Sequence, residues 1–508
     1  MKLNYKRTVL VGFAFFLILA FWQAYDTLIP KLLTDKFGMN QFYSGIIMAL
    51  DNVLAVFLLP FFGSLSDNCK SKSGRRTPFI MLGTILAATI FIALSFTDNI
   101  QLSYLSDISK VPGEVVSEER TNGFEKLYDH DPVIRTTDDN GVTSDKKLSE
   151  LYTKGEFLSL SVSEMTDKEL ETVTKARQAY AWDATMKNPV TLVFFVILLL
   201  GVLLSMSVFR SPAVALMPDV TPKPLRSKGN AVINLMGSTG GILILVAGIF
   251  FGTGSPENAL TSFMPLFIFT SVLMIAALVV YRLTVKEKEW VEECIEISKK
   301  AGIDNDEDDE KRLSGSRKLS KSEFLSLIFL LGSVALWYMG YNAVTSKYAV
   351  YAGEVLGLDY NVTLIVAQGA AIIAFVPVGI ISSKLGRKKA ILFGCALLSA
   401  VFFAASFMGA GSNVWVMNIL FACAGIAWAT INVNSYPMVV ELAGGSDVGK
   451  YTGYYYTASM SAQIITPILS GAFLTYIGMN TLFPYAAIFV ALSFVTMLFV
   501  MHGDSRSN

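Results

Sequence analysis

Runs of about 20 apolar residues recur along the whole chain, and that recurrence leaves few folds open. A hydrocarbon core about 30 Å thick is crossed by roughly 20 helical residues, and inside it every backbone polar group must be bonded within the segment. Spans are expected near 9–32, 42–63, 78–97, 189–217, 229–252, 262–282, 323–346, 361–381, 389–409, 413–439, 452–477 and 480–501. Twelve such runs define an all-α membrane protein. Apolar residues make up 53% of the 508 and charged residues only 16%, against roughly 25% charged in soluble domains. The first run is too long for a cleaved signal peptide, lacks a small-residue cleavage site, and is followed by further spans.

Basic residues fix the expected orientation. Lys2, Lys6 and Arg7 precede the first span; Lys70, Lys72, Arg75 and Arg76 follow the second. Lys223, Arg226 and Lys228 follow the fourth, and Lys384, Arg387, Lys388 and Lys389 the eighth. All fall on one side, so both termini are expected in the cytoplasm and the chain in the plasma (cytoplasmic) membrane. The organisation is then an N-terminal bundle in two pieces, 1–97 and 189–283, interrupted by an extracytoplasmic insertion, 98–188. A cytoplasmic linker, 284–322, with an acidic run at 304–310 and a basic, Ser-rich run after it, leads to a C-terminal bundle, 323–508. The insertion reads either as a solvated, variable segment or as a lid over the outer mouth.

Several functions are excluded. Zero net charge gives no reason to expect nucleic acid as a partner. Cys69, Cys294, Cys395 and Cys423 show no C-x-x-C spacing, and the histidines are His130 and His502 alone, so neither a disulfide framework nor a metal site is expected. No cofactor is expected. No G-x-x-x-x-G-K-[ST] motif for ATP is present. The insertion has one histidine and no Ser/His/Asp constellation, which argues against an enzyme.

The two halves repeat each other. Trp22, Tyr25, Asp26 and Lys31 in the first span return as Trp337, Tyr341, Asn342 and Lys347 in the seventh, with identical spacing from Tyr to Lys. Asp51 precedes Pro60 by nine positions, as Gln368 precedes Pro377. The loop Gly63-Ser64-Leu65-Ser66-Asp67, then Gly74-Arg75-Arg76, recurs from Gly379 to Ser383, then Gly386-Arg387-Lys388. Duplicated six-helix bundles leave a cavity between them that can open to one side at a time.

A charge at the centre of a membrane helix costs about 2.5–3.5 kcal/mol, so it normally faces a cavity or a partner. Asp51 is mid-span; it reads as a carboxylate that takes up and releases a proton, or as a structural hydrogen-bond partner. Asp26, with Tyr25 and Trp22, offers hydroxyl acceptors beside flat rings, the chemistry of a sugar site, though Trp and Tyr also anchor helices at interfaces. Trp337, Tyr341 and Asn342 are the mirrored set. Arg210 is a cavity residue or a cytoplasmic flank, depending on where the fourth span ends. Trp428 and Asn432 share one helix face, and with Asn434 they read as a sugar site or as helix-to-helix hydrogen bonds. Tyr454, Tyr455, Tyr456, Ser461 and Gln463 are further candidates.

The Gly-x-x-x-Asp…Gly-Arg-Arg loop resembles the signature loop of the major facilitator superfamily, which clamps helix ends at the cytoplasmic side. Ser66-Asp67 with Gly74 to Ile80, Arg210-Ser211-Pro212, Pro218-Asp219, Leu225-Arg226-Ser227 and Asn432 to Pro437 are similar to its sucrose-transporter-like branch. That branch is related to the glycoside–pentoside–hexuronide:cation symporters. The resemblance covers nearly all twelve spans but not 98–188. It implies two six-helix bundles, a central site, rocking between two openings, and a gating motif at Gly63, Asp67, Gly74, Arg75, Arg76, Gly379, Gly386 and Arg387. Ser383 stands where an Asp is expected, which implies a weaker second clamp. Melibiose-type carriers hold a cavity carboxylate at the place of Arg210, and an arginine there could pair with Asp51 or Asp26. Their sodium-binding carboxylates fall at Ala55 and Leu59 here, and the plant sucrose carriers' fourth-span Asp has only Leu203 nearby. By elimination, H+ coupling is expected through Asp51 or Asp26, with Gln368 as the neutral counterpart of Asp51.

The expectation is therefore a monomeric secondary transporter that takes up a sugar, an α-glucoside such as sucrose or maltose, with protons. An uncoupled facilitator, or an exporter of drugs or other small solutes, is the alternative within the class. A membrane receptor using 98–188 is the alternative outside it.

Overall fold

The computed structural model describes residues 3–109, 118–137, 143–160, 165–222, 225–255, 258–300, 320–442 and 448–503. The acidic run 304–310, the basic Ser-rich run after it, and the side chains of Arg226, Ser383 and Lys384 lie outside the described residues.

The first half contains α1 (Tyr5–Lys31), α2 (Gln41–Asp67) and α3 (Thr77–Tyr104). The insertion follows, with α4 (Glu118–His130), an antiparallel hairpin of β1 (Val133–Thr137) and β2 (Thr143–Lys147), and α5 (Asp167–Lys187). Three more long helices complete that half: α6 (Pro189–Val220), α7 (Arg226–Phe250) and α8 (Met264–Thr284). A linker helix, α9 (Glu287–Lys300), precedes the second half. That half contains α10 (Lys321–Tyr351), α11 (Tyr360–Leu385), α12 (Arg387–Ala405), α13 (Val414–Glu441), α14 (Val448–Tyr476) and α15 (Leu482–Leu498). Eleven stretches among the described residues are long and apolar enough to cross a membrane, and Tyr360–Phe375 of α11 is a shorter apolar one. This is a multi-pass membrane protein of two six-helix bundles.

Each half has its own apolar core. One gathers Phe21, Phe91, Leu199, Phe209 and Phe267; the other gathers Trp337, Tyr348, Phe402, Phe483 and Val490. A third, smaller core lies in the insertion around Phe124, Leu127, Ile134, Leu148, Phe157 and Val173, so the insertion is a packed module rather than a solvated loop. Within it Ser149 N donates to Asp131 Oδ1 at 2.9 Å, which holds that carboxyl below its usual range.

The repeat is visible in the backbone. Both α1 and α10 end in a π-turn, Leu32–Lys36 and Ala352–Leu356. At the end of the molecule that carries the insertion, Lys36 is fully buried and paired with Asp98 of α3. The pair is satisfied on both sides: Lys36 Nζ also donates to Thr261 O at 2.7 Å, and Asp98 Oδ2 accepts from Phe263 N at 2.8 Å. It ties α1, α3 and the start of α8 together where the insertion leaves the bundle.

Contacts that join the halves cluster at that same end. Phe42 N donates to Thr475 Oγ1 at 2.9 Å, Lys347 Nζ donates to Gln41 O at 2.9 Å, and Thr253 Oγ1 is 3.2 Å from Tyr360 Oη. Here α2 and α14 touch backbone to backbone. A Cβ on Gly45 would sit 2.0 Å from Pro467 O, and one on Gly471 would sit 2.2 Å from Gln41 O, so only glycine fits. Toward the opposite, terminal end, Tyr436, Tyr454 and Tyr456 are exposed on α13 and α14. Among the described residues the halves are held together at the insertion end, while these tyrosines toward the terminal end are left exposed.

Candidate functional site

The middle of the bundle gathers polar residues from both halves. On α1, Trp22, Gln23 and Asp26 are each partly exposed although they lie deep in the protein. Spacings of three and four put Trp22 and Gln23 on the face of Asp26. On α2, Asp51 is also partly exposed, and Asn52 Nδ2 donates to its Oδ1 at 2.7 Å. Arg210 of α6 projects between them. Its guanidinium stands 5.1 Å from the Trp22 ring centroid, and Asp26 and Asp51 both act on it electrostatically. Its helix continues to Val220, and its side chain turns to Trp22, Asp26 and Asp51 rather than outward as a flanking residue would.

The second half faces this set with aromatic rings. Tyr341 of α10 stacks on Trp428 of α13, centroids 3.6 Å apart and planes within 3°. Tyr338 meets the same tryptophan edge-on at 5.4 Å. Asn432, one turn along α13 from Trp428, is exposed. Gln368 Nε2 donates to Gln23 Oε1 across the seam between the halves. Asp26 reaches Tyr341 of the opposite half electrostatically. Three buried polar atoms here lack a partner among the described residues: Trp22 Nε1, Tyr25 Oη and Asn342 Nδ2. Leaving such an atom unpaired costs about 1–3 kcal/mol, which a bound hydroxyl would relieve.

Two expected binding residues, Trp337 and Asn434, do not line this opening, and a third, Tyr25, reaches it with its hydroxyl alone. Trp337 is fully buried in the second core. The repeat from Tyr25 to Tyr341 puts Tyr338, not Trp337, at the place of Trp22; one residue on a helix is about 100° of rotation, which turns Trp337 into the core. Asn434 is buried and spends its amide on its own helix, Nδ2 donating to Thr430 O at 2.8 Å. Tyr25 is buried against Phe21 and Trp22 and presents only its hydroxyl. Gln23 and Tyr338 were not singled out by the sequence reading. A mid-span amide three residues before Asp26, and strict register of the repeat, were the signals that point to them.

At the terminal end the signature loop forms a tight cluster. Arg75 Nη2 is 2.6 Å from Asp219 Oδ1, and Arg76 Nε is 2.9 Å from Asp219 Oδ2 and also bridges to Asp67. Glu287, at the start of α9, accepts from Arg76 N and Thr77 N, both at 2.8 Å. It thereby caps the N-terminus of α3, where free N–H groups favour a carboxylate. Gly74 has a φ of 110°, and a Cβ there would strike Glu287. In the second half, Gly386 has a φ of 97°, and Arg387 Nη1 is 3.1 Å from Glu441 Oε2.

Two six-helix halves around a central polar site, held together at the insertion end, are the architecture of an alternating-access membrane carrier rather than an enzyme. A family model described as Major Facilitator Superfamily matches residues 180–436 and 365–508, and one described as MFS/sugar transport protein matches 10–108. The chain belongs to the major facilitator superfamily. The chain shares local similarity with the Sucrose transport protein SUC3 of Arabidopsis thaliana, 34% identical over 73 residues, which span 14% of this chain and only 12% of that protein. The xylose transporter XylE from E. coli, solved in an inward open conformation, superposes with a TM-score of 0.56 at 13% identity, over 99% of this chain and 98% of that one. A D-xylose-proton symporter gives a TM-score of 0.56 at 13% identity, over 98% of this chain and 99% of that one. At such identities the superpositions speak for the fold alone.

Proposed function

We propose that this protein takes up a sugar together with protons, an α-glucoside such as sucrose or maltose being the favoured substrate. The observation that carries the reading is the composition of the central site. Unpaired donors at Trp22 and Asn342 and carboxylates at Asp26 and Asp51 lie beside the flat Tyr341–Trp428 pair. Sugar hydroxyls need donors and acceptors, and the C–H faces of a sugar ring pack on aromatic rings. The match to a family model described as MFS/sugar transport protein and the local likeness to a sucrose transport protein support the sugar part of this reading.

With the termini in the cytoplasm, as the basic loops favour, the observed conformation faces inward. Rocking the halves would open the insertion end and close the terminal end, the Arg75–Asp219–Arg76 cluster moving as part of the first half, to which all three residues belong. Asp26 and Asp51 are the proton carriers in this scheme, because carboxylates in a low-dielectric cavity can change protonation between two openings. The pseudo-symmetric Asn342 and Gln368 cannot titrate, so one half carries the proton and the other supplies hydrogen bonds.

The test is uptake of labelled sucrose and maltose into proteoliposomes under a pH gradient, with and without sodium. Uphill accumulation driven by the pH gradient, lost in Asp51→Asn or Asp26→Asn while sugar-for-sugar exchange survives, is expected. Accumulation that persists in both variants, or that follows sodium and ignores pH, overturns the proton assignment. Equilibration without accumulation identifies a facilitator.

A further inference from the structure

Helix α5 of the insertion lies across the seam between the two halves. Its C-terminal end is fixed to the first half. Thr185 Oγ1 donates to Phe37 O at 3.1 Å, and Gln101 Nε2 of α3 donates to Thr185 Oγ1 at 2.8 Å. Gly38 (φ 69°) runs directly under α5, where a Cβ would stand 2.2 Å from Trp182 N. That end cannot move without moving the first half.

Farther toward its N-terminus the same helix touches the second half. Gln178 Nε2 donates to Glu354 Oε1 at 2.5 Å, within the π-turn that ends α10. Leu170 is buried, and its Cδ2 is 3.8 Å from where a Cβ on Gly357 would be. Beneath these contacts Lys31 of the first half, paired with Asp35 at 3.7 Å, lies against Gly353 of the second. The π-turns that end α1 and α10 are therefore bridged from outside by one helix, held firmly on one side and, on the other, through Gln178 and Leu170, with Lys175 of the same helix acting electrostatically on Glu354.

We propose that α5 is a clasp: rooted in the first half, it grips the second through Gln178–Glu354 and Leu170–Gly357, and it holds the insertion end shut. Opening that end must break these two contacts and leave the root intact, because the root bonds lie within one half. The proposal rests on the two-state reading above and assigns to the insertion the task of setting the balance between the states.

The test uses the full chain in lipid nanodiscs, with its four cysteines replaced and spin labels on Ile100→Cys and Phe407→Cys. These are exposed positions on opposite halves near the insertion end. Distance distributions are measured without sugar and with maltose, across a range of pH. Gln178→Glu sets a carboxylate against Glu354, and Leu170→Ala removes the apolar grip. Each is expected to raise the long-distance fraction at least about fivefold over the parent. Adding Glu354→Gln to Gln178→Glu restores a neutral–acidic pair and should return the fraction to within about twofold of the parent. Unchanged distributions in both single variants, in a parent that samples both distances, overturn the clasp. So does a Gln178→Glu effect that Glu354→Gln fails to reverse, since general misfolding would behave that way. A parent that shows a single distance under every condition overturns the rocking motion itself, and the clasp with it.

Discussion

Arg210 is the residue on which the site turns. A guanidinium stacked on Trp22 and flanked by Asp26 and Asp51 neutralises charge in a medium where a lone carboxylate is costly. Arg210→Ala should cut sugar uptake at least tenfold with normal membrane expression, and Arg210→Ala with Asp51→Asn should recover part of the binding, since a lone buried charge is worse than none. Isothermal titration with maltose checks the recovery. The aromatic side of the site divides differently. Tyr338→Ala should weaken sugar binding about tenfold and barely shift the melting temperature, whereas Trp337→Ala should destabilise the protein by about 3–5 kcal/mol, the cost of emptying a core position. Equal effects of the two on binding would remove Tyr338 from the site. Asp26, Asp51 and Arg210 were legible in the sequence because a charge inside a span demands an explanation. Trp337 and Tyr338 were not separated, because composition marks an aromatic residue and only helical phase says which way it points.

At the scale of elements, the insertion and the linker helix show where pattern reading stops. The apolar runs located the long helices to within a few residues at most ends, since length and hydropathy fix them locally. The packed core of the insertion was invisible: its apolar residues are scattered singly among charges and meet only through the tertiary fold. Glu287 was equally silent, one acid among several in a polar stretch, until the fold carried it to the first turn of α3. The Lys36–Asp98 pair at the base of the insertion offers a direct test. Asp98→Ala leaves a buried ammonium without its partner and should destabilise the protein by about 3–5 kcal/mol, read as a fall in melting temperature in detergent. Asp98→Asn, which keeps the acceptor for Phe263 N, should cost less. A melting temperature unmoved by Asp98→Ala would mean the pair carries no structural load.

For the whole molecule, duplication was the most informative signal, because two copies of one pattern specify two bundles and a seam. Which end of the seam is shut was beyond the sequence: closure depends on contacts such as Phe42–Thr475, between residues more than 400 positions apart. Orientation is open to a labelling experiment. In intact cells, Lys147→Cys in the insertion should react with an impermeant maleimide, and Lys299→Cys in the linker helix should react only after permeabilisation. Equal reactivity from outside would overturn the orientation.

The glycine contacts at Gly45 and Gly471 have an electrical consequence. Backbone pressed against backbone narrows the seam at the insertion end, and in the inward-facing reading proposed above the other end is the open one. A membrane voltage then falls mainly across the sealed half, where moving one elementary charge through 100 mV involves about 2.3 kcal/mol. In this conformation a proton passing between Asp26 or Asp51 and the terminal end would cross little of that field. The voltage would act chiefly on the rocking of the halves, which carries the seal, and the site's charges with it, from one side of the electric field to the other.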